Sequence, residues 1–365
     1  MSRIFEPFTI NRMQVKNRFV RSATMDNLGK DQMVTEIQLD LYRELVRGEV
    51  GLIISSGIFP TADGQTGIRQ LGAHRDEMIP SLKKIADVVH KNGGKIAIQL
   101  MHAGSFCRPQ VIGGLPIGPS PTVNPFSKIE VRGLSRDEVY EHVDGFVQAA
   151  RRAIEAGFDA VQLHGAHSWF ISSFLSPATN KRQDEWGGSP EKRASFVLRI
   201  YEGIRKIAGP DYPVFIKVGL KDYHPQGKTL DEGIKVAGMF AAAGMDAIEV
   251  SEGVEEQNQH HIRLDAVDPY YVVECRQARQ ALKLPLILVG GMRKLKDMEQ
   301  VVDDGIADAI SMCRPFVMDQ HIVRKFHEGT ADTSDCISCN KCIPEMGRGK
   351  LHCVLPNRAS TVLKP

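Results

Sequence analysis

The sequence predicts an α/β fold, a (β/α)8 barrel of the TIM type that carries a short cysteine-rich C-terminal extension. Short apolar runs of strand length alternate with amphipathic stretches of helical period, and the alternation repeats eight times. No second change of composition divides the first 330 residues. We therefore expect a barrel over residues 1–330 and the extension over residues 331–365. A doubly wound open sheet is the runner-up fold.

Eight apolar runs bounded by turn residues are predicted as the strands of the barrel. They are residues 19–23, 50–55, 95–100, 160–163, 214–218, 247–250, 286–289 and 309–312. A barrel of this kind typically needs about 250 residues, so the surplus fits loop insertions and a tail. The longest insertion, residues 101–135, is rich in glycine and proline and should arch over the mouth of the barrel.

Amphipathic stretches between the runs predict the helices. Residues 136–157 end at Gly157, a residue suited to a helix C-terminus. In residues 189–209, Ser189 suits the N-cap and Pro190 the first helical position. Residues 229–246 and 270–282 predict two further helices.

The charge balance argues against a nucleic-acid or membrane partner. Lysine and arginine total 46 against 44 aspartate and glutamate, so the net charge is only +2. No uncharged apolar run approaches the roughly 20 residues of a membrane span, and the N-terminal region lacks the apolar core of a signal peptide. We expect a soluble, cytoplasmic protein that forms a homo-oligomer.

Two histidines, His164 and His167, follow the fourth apolar run. If the chain turns directly into a helix there, both side chains lie on one face at the carboxyl end of a strand, where barrels place ligand sites. A hydrogen-bonded structural pair is the competing interpretation. Zinc is disfavoured because no cysteine or carboxylate stands beside the pair.

Polar or flexible residues also stand at the ends of other strands. Gly290 and Gly291 follow strand seven and Arg314 follows strand eight, the two positions where barrels commonly bind phosphate. A tight turn and a surface arginine are the alternative there. Lys217 lies within an apolar run, where a buried ammonium is costly without an anionic partner. A planar cofactor with a phosphate tail and electron-rich carbonyls would supply that partner, and would also contact Gln99.

Five motifs resemble the old yellow enzyme family of FMN-dependent oxidoreductases over residues 1 to about 330. They are KNRFVRSATM (16–25), AIQLMHAG (97–104), VQLHGAHSWFISSFLSPATNKRQDEWGGSPEKR (161–193), ILVGGMR (287–293) and ADAISMCRP (307–315). The long third motif is the most specific of the five.

The resemblance implies a role for each matching position. It places a substrate carbonyl oxygen on His164 and His167, the pyrimidine side of the flavin on Gln99, and the N1–C2 edge on Lys217. The remaining implied cofactor contacts are Ala23, Thr24, Met25 and Gly57 at the flavin ring, and Gly290, Gly291, Met292, Cys313 and Arg314 at the phosphate.

The implied reaction is that of an ene-reductase, in which NAD(P)H is the co-substrate and a small α,β-unsaturated carbonyl compound is reduced. Trp169 stands where many relatives have a tyrosine that could protonate the substrate, but an indole does not release its proton at about pH 7. We expect Trp169 to pack against the substrate, with Tyr223, His260 or His261 as alternative proton sources. Oxidative dehydrogenation of an amine or a ring, as in trimethylamine dehydrogenase, and an electron-transfer subunit remain open.

Four cysteines crowd the extension. Cys336, Cys339, Cys342 and Cys353 form a Cys-x2-Cys-x2-Cys-x10-Cys pattern, which suits an iron–sulfur cluster or zinc. The pattern resembles the cluster-binding segment of the dienoyl-CoA reductase and trimethylamine dehydrogenase branch, with slightly shorter second and third spacings. A [4Fe–4S] cluster, zinc and free thiols stay open. Because the sequence does not include the flavin- and pyridine-nucleotide-binding domain of that branch, a cluster would serve structure or a separate electron-transfer partner.

Overall fold

The computed structural model describes residues 2–256, 264 and 268–355, which contain a closed barrel of eight parallel strands. Each strand pairs with its neighbour in the chain, and the first pairs with the last through Phe19 and Ile310. The predicted (β/α)8 fold is therefore confirmed. The strands are β1 (Phe19–Arg21), β2 (Leu52–Ile58), β3 (Ile96–Leu100), β4 (Ala160–Gly165), β5 (Val214–Gly219), β6 (Ile248–Ser251), β7 (Leu286–Val289) and β8 (Ala309–Met312).

Two strands run at least two residues further than predicted, and both differences concern the site. Gly57 was expected after strand two but lies within β2, where the register to β3 shifts between Ile54 and Gly57. His164 was expected after strand four but lies within β4, paired with Lys217 of β5. The apolar pattern ends at these polar or small residues, whereas the backbone ladder continues past them.

One helix follows each strand on the outside of the barrel. They are α1 (Glu36–Arg47), α2 (Ile79–Lys91), α3 (Arg136–Glu155), α4 (Pro190–Ala208), α5 (Leu230–Ala243), α6 (Val272–Ala281), α7 (Leu295–Asp303) and α8 (Ile322–His327). Ser189 accepts a hydrogen bond from the Lys192 backbone and Pro190 is the first residue of α4, as predicted. None of the helices in the described residues is both long and apolar enough to cross a membrane.

Apolar side chains close the amino-terminal end of the barrel. A hairpin of Phe8–Ile10 and Met13–Val15 packs into the same buried cluster as the inward-facing residues of the strands. Those inward-facing residues are Val20, Leu52, Ile54, Ala97, Ala160, Phe215, Ala247, Ile287 and Ala309. The open end of the barrel is therefore its carboxyl-terminal end.

The long insertion and the extension both pack against the barrel. The insertion contains a small sheet of Ile117–Gly118, Thr122–Val123 and Glu130–Gly133, and the ring of Phe106 lies 5.1 Å from that of Trp169. The extension pairs with the start of α7, where the Leu295 amide donates to Asp332 O over 2.8 Å. It also includes a short helix, Cys342–Gly347. Residues 356–365 of the extension lie outside the described residues.

Candidate active site

A cavity of about 1140 Å³ lies at the carboxyl-terminal end of the barrel. Apart from the alternative proton sources, every residue predicted for catalysis or cofactor binding lines it, so the structure brings them to one place. They are Ala23, Thr24, Met25, Gly57, Gln99, His164, His167, Trp169, Lys217, Gly290, Gly291, Met292, Cys313 and Arg314. The cavity also exposes groups that the sequence reasoning missed, notably Ser22, Ser251, Tyr270, Tyr271 and Ser311.

Lys217 has an anionic partner within the protein. Its Nζ lies 3.5 Å from Glu249 Oε1 and donates to Ser22 Oγ over 2.9 Å. Both Lys217 and Glu249 are buried. The buried ammonium of Lys217 therefore has an anionic partner in the protein itself, which the sequence analysis did not predict. Glu249 carried the same signal as Lys217, a charged residue within an apolar strand, and could have been found by it.

A chain of hydrogen bonds joins this ion pair to Gln99. Gln99 Nε2 donates to Gln162 Oε1 over 2.7 Å, and Gln162 Nε2 donates to Glu249 Oε2 over 2.7 Å. Ser311 Oγ donates to Glu249 Oε1 over 2.8 Å. The floor of the cavity is therefore a connected polar layer, in which each side chain is held by its neighbours.

The histidine pair is placed by a strand and a turn, so the prediction of a shared helix face was wrong. His164 is the last residue but one of β4, whereas His167 and Ser168 both have a φ of 61°, in the left-handed region that L-residues rarely adopt. Hydrogen bonds from their amides to Glu252 O and Gly253 O, of 2.9 and 3.2 Å, hold the turn. The two imidazole centroids lie 5.1 Å apart at an interplanar angle of 84°.

Ser251 positions the second histidine of the pair. Its Oγ lies 2.7 Å from His167 Nε2, within hydrogen-bonding distance. His164 is buried and His167 is half-buried, so both rings are partly withdrawn from solvent while they line the cavity. A backbone held in a rare conformation to aim a polar ring is typical of a functional site.

Trp169 lies beside the pair, and the other candidate proton sources lie elsewhere. Its ring centroid is 6.4 Å from that of His164. Tyr223 is not among the residues that line the cavity, and its hydroxyl donates to Glu274 Oε1 over 3.2 Å. His260 and His261 lie outside the described residues. Tyr270 and Tyr271 are phenols of the cavity that sequence reasoning missed, and Tyr271 donates a hydrogen bond to Glu252.

The loop after β7 requires both of its glycines. Gly290 and Gly291 have φ values of 109° and 71°. A Cβ added to Gly291 would lie 2.2 Å from Asp268 O, and one added to Gly290 would lie 2.5 Å from the ring of Tyr270. The loop can therefore keep this conformation only with glycine at both positions, and no side chain of theirs covers its backbone.

Arg314 has contacts that the sequence did not predict. Its Nη1 donates to Ser338 O over 3.0 Å and to Asn340 Oδ1 over 2.7 Å, and its Nη2 donates to Tyr270 Oη over 3.2 Å. It thus joins the end of the barrel to the extension while lining the cavity. A role limited to phosphate binding is too narrow for this residue.

All four cysteines of the extension line a second cavity of about 330 Å³. This cavity shares Arg314, Val317 and Cys342 with the first one. Burial, together with the neighbouring thiols of Cys313 and Cys336, raises the pKa of Cys342 to about 12, and burial also raises the pKa of Cys336. Buried thiols of this kind become thiolates when a metal replaces their protons, so the donor set fits a metal or an iron–sulfur cluster.

Comparisons with known proteins agree on one family. The family model described as NADH:flavin oxidoreductase / NADH oxidase matches residues 3–333. The chain is 33% identical over 344 residues to an NADH oxidase of Thermoanaerobacter brockii, a match that covers 92% of this chain and 52% of that protein.

Two solved structures show the same fold. A 2-naphthoyl-CoA reductase in complex with 2-naphthoyl-CoA has a TM-score of 0.85 at 28% identity, covering 93% of this chain and 54% of that one. An old yellow enzyme homologue from Zymomonas mobilis has a TM-score of 0.79 at 26% identity, covering 92% and 95%. The chain therefore spans about half the length of the NADH oxidase and of the 2-naphthoyl-CoA reductase.

Proposed function

The chain belongs to the NADH:flavin oxidoreductase / NADH oxidase family, and from this premise we propose that it is an FMN-dependent ene-reductase. In this proposal NAD(P)H is the reductant, and the substrate is a small α,β-unsaturated carbonyl compound whose C=C bond is reduced. The observation that carries the proposal is a single cavity that joins a hydrogen-bonding floor, which includes Lys217, to a pair of histidines.

The residues present fit FMN. The Lys217 ammonium and the Gln99 amide are donors of the kind that the electron-rich carbonyls of a flavin ring require. The Gly290–Gly291 backbone and the Arg314 guanidinium suit a phosphate. The implied flavin contacts and the histidine pair line the same cavity, so a flavin and a small substrate would meet there. Bound FMN would supply the hydride transfer between the nicotinamide and the substrate.

His164 and His167 bind the substrate carbonyl oxygen in this proposal. Two ring N–H donors aimed at one oxygen stabilise the negative charge that develops on it as the double bond is reduced. Ser251 and the rigid turn at residues 166–168 preorganise His167 for this task. Trp169, whose ring contacts that of Phe106, supplies an aromatic wall on which a flat substrate packs.

Anaerobic half-reactions test the proposed function. The purified protein, saturated with FMN, is reduced by NADPH or NADH and then mixed with 2-cyclohexenone while the flavin absorbance is followed. Reoxidation by the enone is the expected result. If instead amines reduce the flavin and enones leave it reduced, the oxidative function of the trimethylamine dehydrogenase type replaces the proposal. If the reduced flavin reacts with neither and passes electrons only to dyes, the chain is an electron-transfer subunit.

We also propose that the cysteines of the extension bind a [4Fe–4S] cluster. The support is that all four cysteines line one cavity, since four thiolates are the donor set of such a cluster. Such a cluster would lie next to the flavin site, because the two cavities share Arg314 and Cys342, and could accept electrons from a partner protein. Iron, sulfide and zinc analysis of protein purified without oxygen tests this: stoichiometric zinc without iron overturns the cluster.

A further inference from the structure

We propose that Glu249 is a positioning residue that lowers the reduction potential of the bound flavin by neutralising Lys217. The inference rests on the proposed function, since it requires FMN in the larger cavity. Glu249 itself does not line that cavity; it lies behind the side chains that do.

The sheet register places Glu249 against Lys217. The two residues are direct partners on neighbouring parallel strands, and both side chains point into the barrel, where they are buried. Nζ and Oε1 are 3.5 Å apart. Ser22 bridges them, because its Oγ accepts from Lys217 over 2.9 Å and donates to Glu249 over 2.8 Å.

The same carboxylate fixes the other polar groups of the floor. Its Oε1 accepts from Ser311 Oγ and its Oε2 accepts from Gln162 Nε2, which orients Gln162 to accept from Gln99. The cavity-lining side chains of Ser22, Gln99, Lys217 and Ser311 are thus all tied to Glu249, three directly and Gln99 through Gln162. One buried group therefore sets both the geometry and the charge of the surface that a flavin would meet.

The sign of the electrostatic effect follows from this arrangement. A lone ammonium under the flavin would favour the reduced, negatively charged form and raise the potential. A carboxylate 3.5 Å from the ammonium offsets most of that field, so the flavin meets a neutral pair. Removing the carboxylate should raise the potential, and removing the ammonium should lower it.

Glu249→Gln is a suitable variant because the hydrogen-bonding layer can accommodate it. The amide oxygen of glutamine can keep the bond from Gln162, and the amide nitrogen can donate to the hydroxyls of Ser22 and Ser311, which rotate to accept. Ser311→Ala is the matched control, since it removes one hydrogen bond to the carboxylate without changing any charge.

Midpoint potentials of the FMN-loaded proteins, measured by anaerobic spectroelectrochemistry, test the inference. For Glu249→Gln we expect the affinity for reduced relative to oxidised FMN to rise at least about tenfold, which corresponds to about 30 mV for a two-electron couple. Lys217→Met should move the potential down, the double variant should return toward the wild-type value, and Ser311→Ala should shift it by less than Glu249→Gln. If Glu249 had only a structural role, Glu249→Gln and Lys217→Met would not shift the midpoint potential in opposite directions.

An unchanged or lower potential in Glu249→Gln overturns the inference. If that variant does not fold, Lys217→Met is compared with the double variant at alkaline pH. Lys217→Met keeps the carboxylate of Glu249, whereas the double variant has a neutral amide there. A potential that is not higher in the double variant also overturns the inference. Failure of the wild-type protein to bind FMN is a separate outcome, which defeats the proposed function instead.

Discussion

His164 and His167 illustrate how individual side chains would serve the proposed reaction. Replacing both by alanine should leave the flavin bound and reducible by NAD(P)H, because neither belongs to the polar layer around Glu249. Enone reduction should fall by about 100- to 1000-fold for each lost donor to the developing oxyanion. Stopped-flow reoxidation by 2-cyclohexenone measures this.

Ser251→Ala is the control for the histidine variants. It removes the hydroxyl that lies 2.7 Å from His167 Nε2 and leaves both imidazoles in place, so its effect should be smaller. Loss of the flavin or of the fold in the double alanine variant would mean that the pair is structural.

Trp169 stands where a side-chain acid could protonate the substrate, and variants at this position test whether such an acid is missing. If the site lacks a side-chain acid at this position, Trp169→Tyr should speed enone reduction by about tenfold or more, within the range typical of general acid catalysis. Trp169→Phe keeps an aromatic ring without a hydroxyl and should not gain. Equal rates in both variants would assign the proton to another group, and Tyr271→Phe would then be examined, since that phenol lines the cavity.

A buried histidine outside the active site should make stability depend on pH. His142 Nδ1 contacts Glu138 O at 2.7 Å and Nε2 contacts Asp63 Oδ2 at 3.0 Å, so both nitrogens face acceptors. Burial lowers the pKa of His142, but the hydrogen bond to Asp63 and the charge of Asp63 outweigh burial, and the pKa is raised above 6.5.

His102, whose Nδ1 accepts from the Gly104 amide, carries its proton on Nε2 toward Asp63. Asp63, His102 and His142 lie close enough together to be taken for metal ligands. Because the histidine nitrogens that face Asp63 carry protons, the arrangement favours hydrogen bonding instead.

The raised pKa sets the sign of the pH dependence. The stabilisation from protonated His142 is complete below about pH 6.5 and is lost as the pH rises through the folded-state pKa. His142→Gln should therefore lower the melting temperature more at about pH 6 than at about pH 9. Thermal unfolding of the wild-type protein and of His142→Gln across this pH range measures the difference in melting temperature. A difference that does not change with pH would contradict an ion pair between His142 and Asp63.

At the scale of elements, Arg314 connects the barrel to the extension. Arg314→Ala should weaken FMN binding by about 1.5–3 kcal/mol, the range for a hydrogen bond to a charged group. It should also loosen the extension, because the two hydrogen bonds from Arg314 to Ser338 and Asn340 are lost. Asn340→Ala removes one of those contacts and keeps the guanidinium, so it should retain FMN affinity while exposing the extension to proteolysis. Titration of the apoproteins with FMN separates the two effects, and undiminished affinity in Arg314→Ala would refute the phosphate assignment.

The sequence predicted the elements better than their contacts. Apolar runs located all eight strands because a barrel buries both faces of each strand. The same pattern could not show that β4 continues to Gly165 or that a left-handed turn follows it, since backbone pairing and tertiary hydrogen bonds decide both. The contact between Arg314 and Asn340 was equally invisible, because it depends on how the extension folds back.

At the scale of the whole molecule, the motif resemblance predicted which residues line the cavity. The polar layer beneath the cavity could be recognised only in the structure. Lys217 was recognised as anomalous, yet its partner Glu249 lies 32 positions away in the sequence and becomes adjacent only through the register of β5 and β6. Periodicity shows which residues face inward. It does not show which inward-facing residues share a layer, because that depends on the stagger of the closed barrel.

Under the proposed function, FMN should stabilise the barrel as a whole, and its phosphate should contribute much of that effect. A ligand that binds only the folded state stabilises it by about 2.7 kcal/mol at one hundred times its Kd, so FMN should raise the melting temperature of the apoprotein in a concentration-dependent way. Riboflavin presents the same ring to Gln99 and Lys217 but no phosphate to Gly291 and Arg314. At equal concentration it should therefore produce a smaller shift. Differential scanning fluorimetry with both ligands makes the comparison. Equal shifts would mean that the loops after β7 and β8 do not bind the phosphate, whereas a shift with FMN alone would show that most of the affinity comes from these loops.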